Sequence, residues 1–425
     1  MALVSALAVV LKVLILSQYF WPESFRINDV AQGLQEQGHQ VEVLTGFPNY
    51  PFGQFFAGYE ARRPARDVLG KVRIHRVPLL ARRNGKGLRL LLNYLSFAVS
   101  AAMFGPFLVR RPDVILVFEP SPVTVGFPAA VLRRVFQVPV AFWVQDLWPE
   151  SLVATGSLRN RRALALVSRI VRWIYRHCDL LLVQSRAFSR SLVKHGVSLS
   201  KIEYLPNSAE AFYRPVAIPA DAPERQLVPQ DGIVNLMFAG NLGVSQDLET
   251  LVDAAAQLRH EPVRWLILGD GRQRPWLEEE IRRRELQSCI HLLGSYPAET
   301  MPRFFALADI LLVSLKDDPA FRATIPSKLQ SYLACGRPVL AALNGEGARV
   351  TLDAGAGLTV AAERPDELAR AVLEFIRLSP TQREEMGERG RRYFLRNFER
   401  GYLLHQLIEL LGSVATRGIT KEPKA

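Results

Sequence analysis

The sequence predicts an α/β protein made of two doubly wound, parallel-sheet units. Three observations carry this. Short apolar, β-branched runs alternate with amphipathic helical stretches, the pattern of strands covered on both faces. The alternation stops at a proline-rich, aperiodic segment, 213–232, and then restarts, which marks a linker. The chain has 425 residues, more than a single core of ordinary size accommodates.

In chain order, the strand-like runs before the linker are KVLIL (12–16), VEVLT (41–45), VRIHRV (72–77), DVILVF (113–118), VPVAFWV (138–144), DLLLVQ (179–184) and IEYL (202–205). The opening segment, MALVSALAVVLKVLILSQYF, is interrupted by Lys12 and has no clean small-residue cleavage site. Its second half therefore reads as the first strand and not as a secretion signal. Segment 88–109, LRLLLNYLSFAVSAAMFGPFLV, has Arg89 as its one charge and is long enough to cross a bilayer. Asn93, Gly105 and Pro106 interrupt it and a strand-like run follows at once, so a buried or interfacial helix is expected.

After the linker come IVNLMFAG (233–240), WLILGD (265–270), IHLLG (290–294), DILLVSL (309–315), PVLAAL (338–343) and GLTVA (357–361), with helices expected at 247–259, 274–286 and 299–306. Three helical stretches close the chain, and RGITKEPKA (417–425) reads as frayed. The expected division is 1–215 and 216–395, with 396–425 following. Ligands of open parallel sheets bind beyond the carboxyl ends of the strands, and two such units point to a cleft between them.

The formal net charge of +12 calls for an anionic partner or surface. Arg62, Arg63, Arg66, Arg82, Arg83, Lys86 and Arg89 crowd one part of the first half. No helix-turn-helix, zinc spacing or aromatic ribonucleoprotein motif accompanies them, so nucleic acid is not the expected partner. Cys178, Cys289 and Cys335 lie far apart and read as buried thiols of a reducing compartment. The histidines are scattered and no metal-ligand spacing occurs, so no metal site is expected. Neither a dinucleotide fingerprint nor a Walker A sequence is present: GNLGVSQDLETL and LGDGRQR hold glycines in other patterns.

Anion-binding features remain. Gly240 and Gly243 lie between a strand and a helix, where backbone N–H groups can approach a phosphate closely. The stretch TIPSKLQSYLACGRPVLAAL (324–343) reads as loop, helix and strand, with Ser327 and Lys328 opening the helix. Unpaired amides and the helix dipole favour an anion there, and Lys328 adds a full charge. Two such helix starts in one unit point to a diphosphate. In the first half, Glu23 and Arg26 occupy the first strand–helix loop, and Asp146, Trp148 and Glu150 occupy a second. A carboxylate at a strand end can polarise a hydroxyl or cap a helix, and both readings stay open here.

Longer segments carry a resemblance. They are LSQYFWPESFRINDVAQGLQEQGHQVEVLTGFPNYPFGQFFAGY (16–59), WVQDLWPESLVATG (143–156), NLMFAGNLGVSQDLETLVDAA (235–255), LILGDG (266–271), LLGSYPAETMPRFFALADILLVSL (292–315) and IPSKLQSYLACGRPVLA (325–341). In this order they resemble GT-B glycosyltransferases of the retaining, family four type, nearest to bacterial enzymes that build O-antigen, capsule or colanic-acid-like polysaccharides. The resemblance runs over about residues 12 to 400. It implies two Rossmann-like domains facing across a cleft, an N-terminal acceptor domain (1–215), a C-terminal nucleotide-sugar domain (216–395) and a last helix returning to the first domain (396–425). It implies transfer of a sugar, with retention, from a UDP- or GDP-linked donor, and no cofactor or metal. Donor diphosphate contacts fall on Lys328, Ser327, Gly240, Asn241 and Gly243. Nucleobase and ribose contacts fall on Gly294, Ser295, Tyr296 and Ser331, and donor-sugar contacts on Phe321, Arg322 and Thr324. On the acceptor side, Asp146 and then Glu23 are the groups expected to polarise the hydroxyl, with Arg26, Trp148 and Glu150 nearby.

The sequence departs from the family where an arginine and a lysine are common, at Asn241 and Gln246, and where two glutamates are common, at Ala323 and Ser331. Asp317 or Asp318 could replace the first glutamate, and the diphosphate's positive charge moves to Lys328. A histidine is frequent where Gln145 stands. The apolar helix beside the arginines suggests a polyprenyl-diphosphate-linked acceptor and a peripheral position on the cytoplasmic face of the plasma membrane. Two other functions fit the architecture: a nucleotide-sugar 2-epimerase, and a non-catalytic scaffold that has lost its site.

Overall fold

Eight strands of the first half form one sheet: β1 (Lys12–Leu16), β2 (Gln40–Gly46), β3 (Ala65–Leu69), β4 (Val72–Val77), β5 (Val114–Glu119), β6 (Val140–Val144), β7 (Leu180–Val183) and β8 (Ile202–Tyr204). The computed structural model describes residues 10–59, 63–83 and 87–419; Arg62 and Lys86 of the basic cluster and the segments 1–9 and 420–425 lie outside them. The strand order is β3-β4-β2-β1-β5-β6-β7-β8. Every pairing is parallel except β3 with β4. The order reverses between β1 and β5, so the loops after these strands diverge to leave a crevice at their carboxyl ends.

β3 was not expected. ARDVL alternates exposed and half-buried residues along an edge, so it lacks the apolar run that marked the others. Its anchor is ionic. Asp67 accepts from Arg76 of β4 at 2.8 Å, and Arg76, almost fully buried, also donates to the carbonyl of Trp21 at 2.6 Å and lies over the Tyr59 ring.

The apolar segment 88–109 is the helix Gly87–Leu108. One side packs inward through Asn93, Phe97, Ala98, Ala101 and Gly105. A Cβ on Gly105 would come within 2.9 Å of Leu44 and 3.1 Å of Leu132, so the glycine sets how closely the helix approaches its neighbours. Buried Asn93 donates to the carbonyl of Leu80 at 2.6 Å and accepts from Gln18 at 2.7 Å. The other side carries Leu88, Leu91, Leu95, Val99, Met103 and Phe107, all exposed. Among the described residues it is the one helix long and apolar enough to cross a membrane.

The second sheet contains β9 (Val234–Ala239), β10 (Val263–Leu268), β11 (Ile290–Gly294), β12 (Ile310–Ser314), β13 (Val339–Ala342) and β14 (Gly357–Val360). Its order is β11-β10-β9-β12-β13-β14, all parallel. It reverses between β9 and β12, the two strands that lead into Gly240 and into the loop before Lys328. The expected helices are Leu248–Gln257, Arg274–Arg283 and Met301–Leu307.

The chain divides into 1–206 with 401–425, and 207–400. Both boundaries therefore differ from the expected 215/216 and 395/396. Residues 207–215 belong to the second unit: the Asn207 carbonyl accepts from Gln330, and Ala209 is in its core. The proline-rich segment is likewise packed, not free. Tyr213 stacks on Phe305, Glu224 pairs with Arg303, and Val228 is fully buried. Phe398 completes the same core. The last helix, Arg400–Ile419, places Leu403, Leu404, Leu407, Leu411, Val414 and Ala415 in the core of the first unit. It extends to Ile419, and the rest of the stretch expected to fray, 420–425, lies outside the described residues. Cys178, Cys289 and Cys335 are buried free thiols.

Candidate functional site

The strand ends of the second unit meet backbone to backbone. Gly240 and Gly269 both have φ of +139°, a conformation L side chains rarely adopt. A Cβ on Gly269 would lie 1.9 Å from the Gly240 carbonyl oxygen, so this crossing accepts only glycine. Gly240 donates to Leu268 at 2.9 Å, and Gly269 donates to Gly294 at 2.7 Å. The carboxyl ends of β9, β10 and β11 are thus laced into one rim. Asn241 lies across it: its amide group would be 2.8 Å from a Cβ on Gly243 and 2.7 Å from one on Gly271.

Lys328 reaches this rim from the start of the helix Ser327–Ala334. Its Nζ sits 3.8 Å from the centroid of the Phe238 ring, donates to Gln246 Oε1 and would be 3.3 Å from a Cβ on Gly240. Burial pushes this amine down to about 7. The expected pairing of Lys328 with the Gly240 loop is therefore present, and Gln246 completes it. Gln246, where the resemblance leads to the expectation of a cation, here accepts from one that comes from another helix. No side-chain hydrogen bond caps the N-terminus of the helix, and the dipole of such a helix start favours an anion.

Gly294 closes β11 with φ of +86°, and nothing would obstruct a Cβ there. Ser295 and Tyr296 follow, exposed, with the Tyr296 ring 4.6 Å from that of Phe304. An exposed, backed ring at a strand end is a surface on which a base can stack. Ser331 is different: it is buried and its hydroxyl donates to the Ser327 carbonyl at 3.3 Å. The geometry gives its hydroxyl a partner within its own helix.

The loop after β12 holds the residues expected at the donor sugar. Phe321 packs on the core. Thr324 donates to the Ala320 carbonyl at 2.9 Å. Arg322 makes two 2.6 Å bonds to Asp317, and with Asn344 it holds that carboxyl down at about 2. Asp318 caps the short helix Pro319–Ala323 through Ala320 N–H. Asp317 is thus an ion-pair partner and Asp318 a cap, so neither stands as an unengaged carboxylate in place of Ala323.

In the first unit, Glu23 is a buried brace. One carboxyl oxygen accepts from the amides of Asn49 and Tyr50 at 2.8 and 2.7 Å, and the other from Phe20 at 3.3 Å. Burial pushes it up to about 7, against the pull of these amides. This engagement fixes the PNYP turn to the first strand–helix loop. Arg26 opens the helix Arg26–Glu36 beside it.

Asp146 lies just beyond β6. Its carboxyl accepts from the Trp148 indole at 3.2 Å. Burial pushes it up to about 6, opposed by the Ser151 hydroxyl, the Trp148 indole and the Leu147 amide. The Trp148 ring faces that of Tyr94, edge-on at 6.3 Å. Glu150 accepts from Ser191 at 2.7 Å, which engages one oxygen on the neighbouring helix.

Other groups at this end were not anticipated. Tyr19, buried after β1, stacks on Phe25 and receives a 3.4 Å bond from Arg82. Arg82 also lies over Tyr50. Tyr94 interacts with Tyr19, Ser121 and the charge of Asp146. Glu119, the last residue of β5, is fully buried. Its position at the end of an apolar run was the available signal; the residues around it come from distant parts of the chain.

Residues 24–208 match the Glycosyl transferase 4-like domain, and residues 234–377 match Glycosyl transferases group 1. WcaI of Escherichia coli (strain K12), a glycosyl transferase named for colanic acid biosynthesis, is 29% identical over 77% of this chain and 82% of that protein. Sucrose-phosphate synthase of Thermosynechococcus elongatus superposes with a TM-score of 0.74 at 16% identity, over 96% of this chain and 100% of that one. HepE of Anabaena, solved in complex with UDP, gives 0.68 at 15% identity, over 95% and 100%. These two structural likenesses are ones of fold.

Proposed function

We infer that this chain, a glycosyltransferase of the GT-B type, moves a sugar with retention from a nucleoside-diphosphate donor held by the second unit to a hydroxyl presented to the first. The carrying observation is Lys328 brought to the Gly240 rim beside an uncapped helix start. A buried amine beside a helix N-terminus is suited to the charge that develops on a departing diphosphate. Tyr296 would receive the base. The relative named for colanic acid biosynthesis and the neighbour holding UDP support this choice of chemistry. We propose a lipid-linked saccharide as the acceptor and a surface polysaccharide as the product.

Thermal shift with UDP- and GDP-sugars, followed by product analysis with a lipid extract, tests this. One nucleotide sugar should raise the melting temperature and label a lipid product. An epimerised free nucleotide sugar would instead favour the 2-epimerase. Binding without turnover on any acceptor would favour the scaffold, a reading that the engaged Ser331 and the missing acid at Ala323 keep in play.

The lipid reading also requires a membrane-facing surface. The exposed stripe on Gly87–Leu108, ending in Phe107 at 86% exposure, supplies apolar contact. The helix Gly126–Phe136 packs beside it, and Phe127 touches Trp173 of the helix Arg161–Arg176. The latter exposes Arg161, Arg162, Arg169, Arg172 and Arg176 with Leu166 and Trp173. Such a face suits an anionic bilayer. The protein should sediment with phosphatidylglycerol vesicles at low salt and be released as salt rises. Phe107→Glu should weaken this by about tenfold. Equal binding to neutral vesicles at all salt concentrations would contradict the electrostatic part.

A further inference from the structure

Glu119 and Asp146 stand at the ends of neighbouring strands. In the β5–β6 pairing Glu119 lies opposite Val144, and the Gln145 amide donates to the Glu119 carbonyl at 3.1 Å. Asp146 is the next residue. The side chain of Glu119 is fully buried, and neither carboxyl oxygen has a hydrogen-bond partner. The charge it experiences is that of Asp146; no cation contributes, and the amides of Asp146 and Gln145 only partly offset its burial. A carboxylate so placed would have only the partial help of these two amides, with the charge of Asp146 acting against it. A neutral carboxyl carries an O–H donor instead, and the adjacent Asp146 is the natural acceptor.

The other groups at this place do not supply a counter-charge. Tyr94, from Gly87–Leu108, feels Asp146, but its own cation, Arg82, is engaged with Tyr19 and Tyr50. Tyr175, from Arg161–Arg176, is pushed up by burial and then by Glu119. Glu150 repels Asp146, and His195 is held in the neutral direction by burial.

We propose that Glu119 is a positioning residue: held neutral, it donates its carboxyl proton in a hydrogen bond to Asp146 and so orients the ionised Asp146 toward the acceptor hydroxyl. This rests on the acceptor reading of the first unit. A neutral acid donating to an anion is a charge-assisted bond, stronger than a neutral one. It favours the ionised form of Asp146 and sets its side chain.

Glu119→Gln keeps shape and donor, and Glu119→Met keeps approximate shape without the donor. With the full chain, kcat/KM for the acceptor should fall on the acid side as Asp146 protonates near pH 6. The glutamine variant should leave this limb in place and keep the rate within about threefold. The methionine variant should lower kcat/KM by about tenfold and move the limb upward, because ionised Asp146 loses its donor. A limb moved to lower pH in Glu119→Gln would mean that Glu119 is an anion, and would overturn the proposal. So would equal profiles for the two variants.

Infrared spectroscopy of the substrate-free protein at neutral pH separates this from the function itself. Glu23, raised to about 7, adds its own protonated-carboxyl band at neutral pH, so the readout is the wild-type minus Glu119→Gln difference spectrum, which should contain the C=O band of a protonated buried carboxyl. A difference spectrum without that band overturns the proposal whatever the enzyme does. The expected band together with no transfer on any acceptor would support the neutral Glu119 while defeating the proposed reaction.

Discussion

Lys328→Ala should raise the dissociation constant for the nucleoside-diphosphate sugar by about 10- to 100-fold, the worth of a charge-assisted bond in a partly dry site. The amine sits over the Phe238 ring and donates to the neutral Gln246 side chain. A ring face and a neutral amide oxygen supply no counter-charge, and burial brings Lys328 down to about 7. A bound diphosphate would supply the missing charge. Below pH 7 the amine of the free protein is already protonated, so donor affinity is at its full value. Above pH 7 binding must take up a proton, and affinity should fall by up to about tenfold per pH unit. Calorimetry from pH 6 to pH 9 in buffers of different ionisation enthalpy reads both the affinity and the proton. Unchanged affinity in Lys328→Ala would place the diphosphate on another helix.

Glu23→Ala should destabilise the first unit by roughly 3–5 kcal/mol, because it leaves the amides of Phe20, Asn49 and Tyr50 buried without their acceptor. The second unit, with its own core, should unfold at an unchanged denaturant concentration. The pH dependence has a defined sign. Glu23 is raised from 4.5 to about 7 in the folded protein, so the native state holds its proton more tightly than the unfolded chain. The stability this contributes is full below about pH 4.5 and is lost as the pH rises through about 7. That slope should be missing from Glu23→Ala. A variant as stable as the wild type, but unable to transfer sugar, would return Glu23 to the acceptor chemistry that its place in the sequence suggested.

The two-sheet architecture was legible because both sheets are mostly parallel and covered, and such strands announce themselves as apolar runs. KVLIL, VRIHRV and IHLLG begin and end where β1, β4 and β11 do. β3 was not legible, since an edge strand held by the Asp67–Arg76 pair has no need of an apolar run. The linker looked unstructured for a related reason: its proline-rich backbone packs through single anchors, Tyr213, Glu224 and Val228, without periodicity. At the candidate site, glycine spacing and the Ser327–Lys328 helix start could be read directly. The partnership of Lys328 with Gln246 could not, because it depends on β12 lying beside β9. Glu23 and Asp146 looked alike, as carboxylates after strands. Their difference comes from which amides surround them. Glu119 was passed over because its importance lies in having no such partner.

Hydrogen–deuterium exchange with and without UDP locates the donor site on the molecule. Protection is expected at 240–246, at 294–296 and in the first turn of Ser327–Ala334, with the first unit's strand-end loops unchanged by the nucleotide alone. Protection confined to the first unit, or absent from both the Gly240 rim and the Lys328 helix, would contradict this placement.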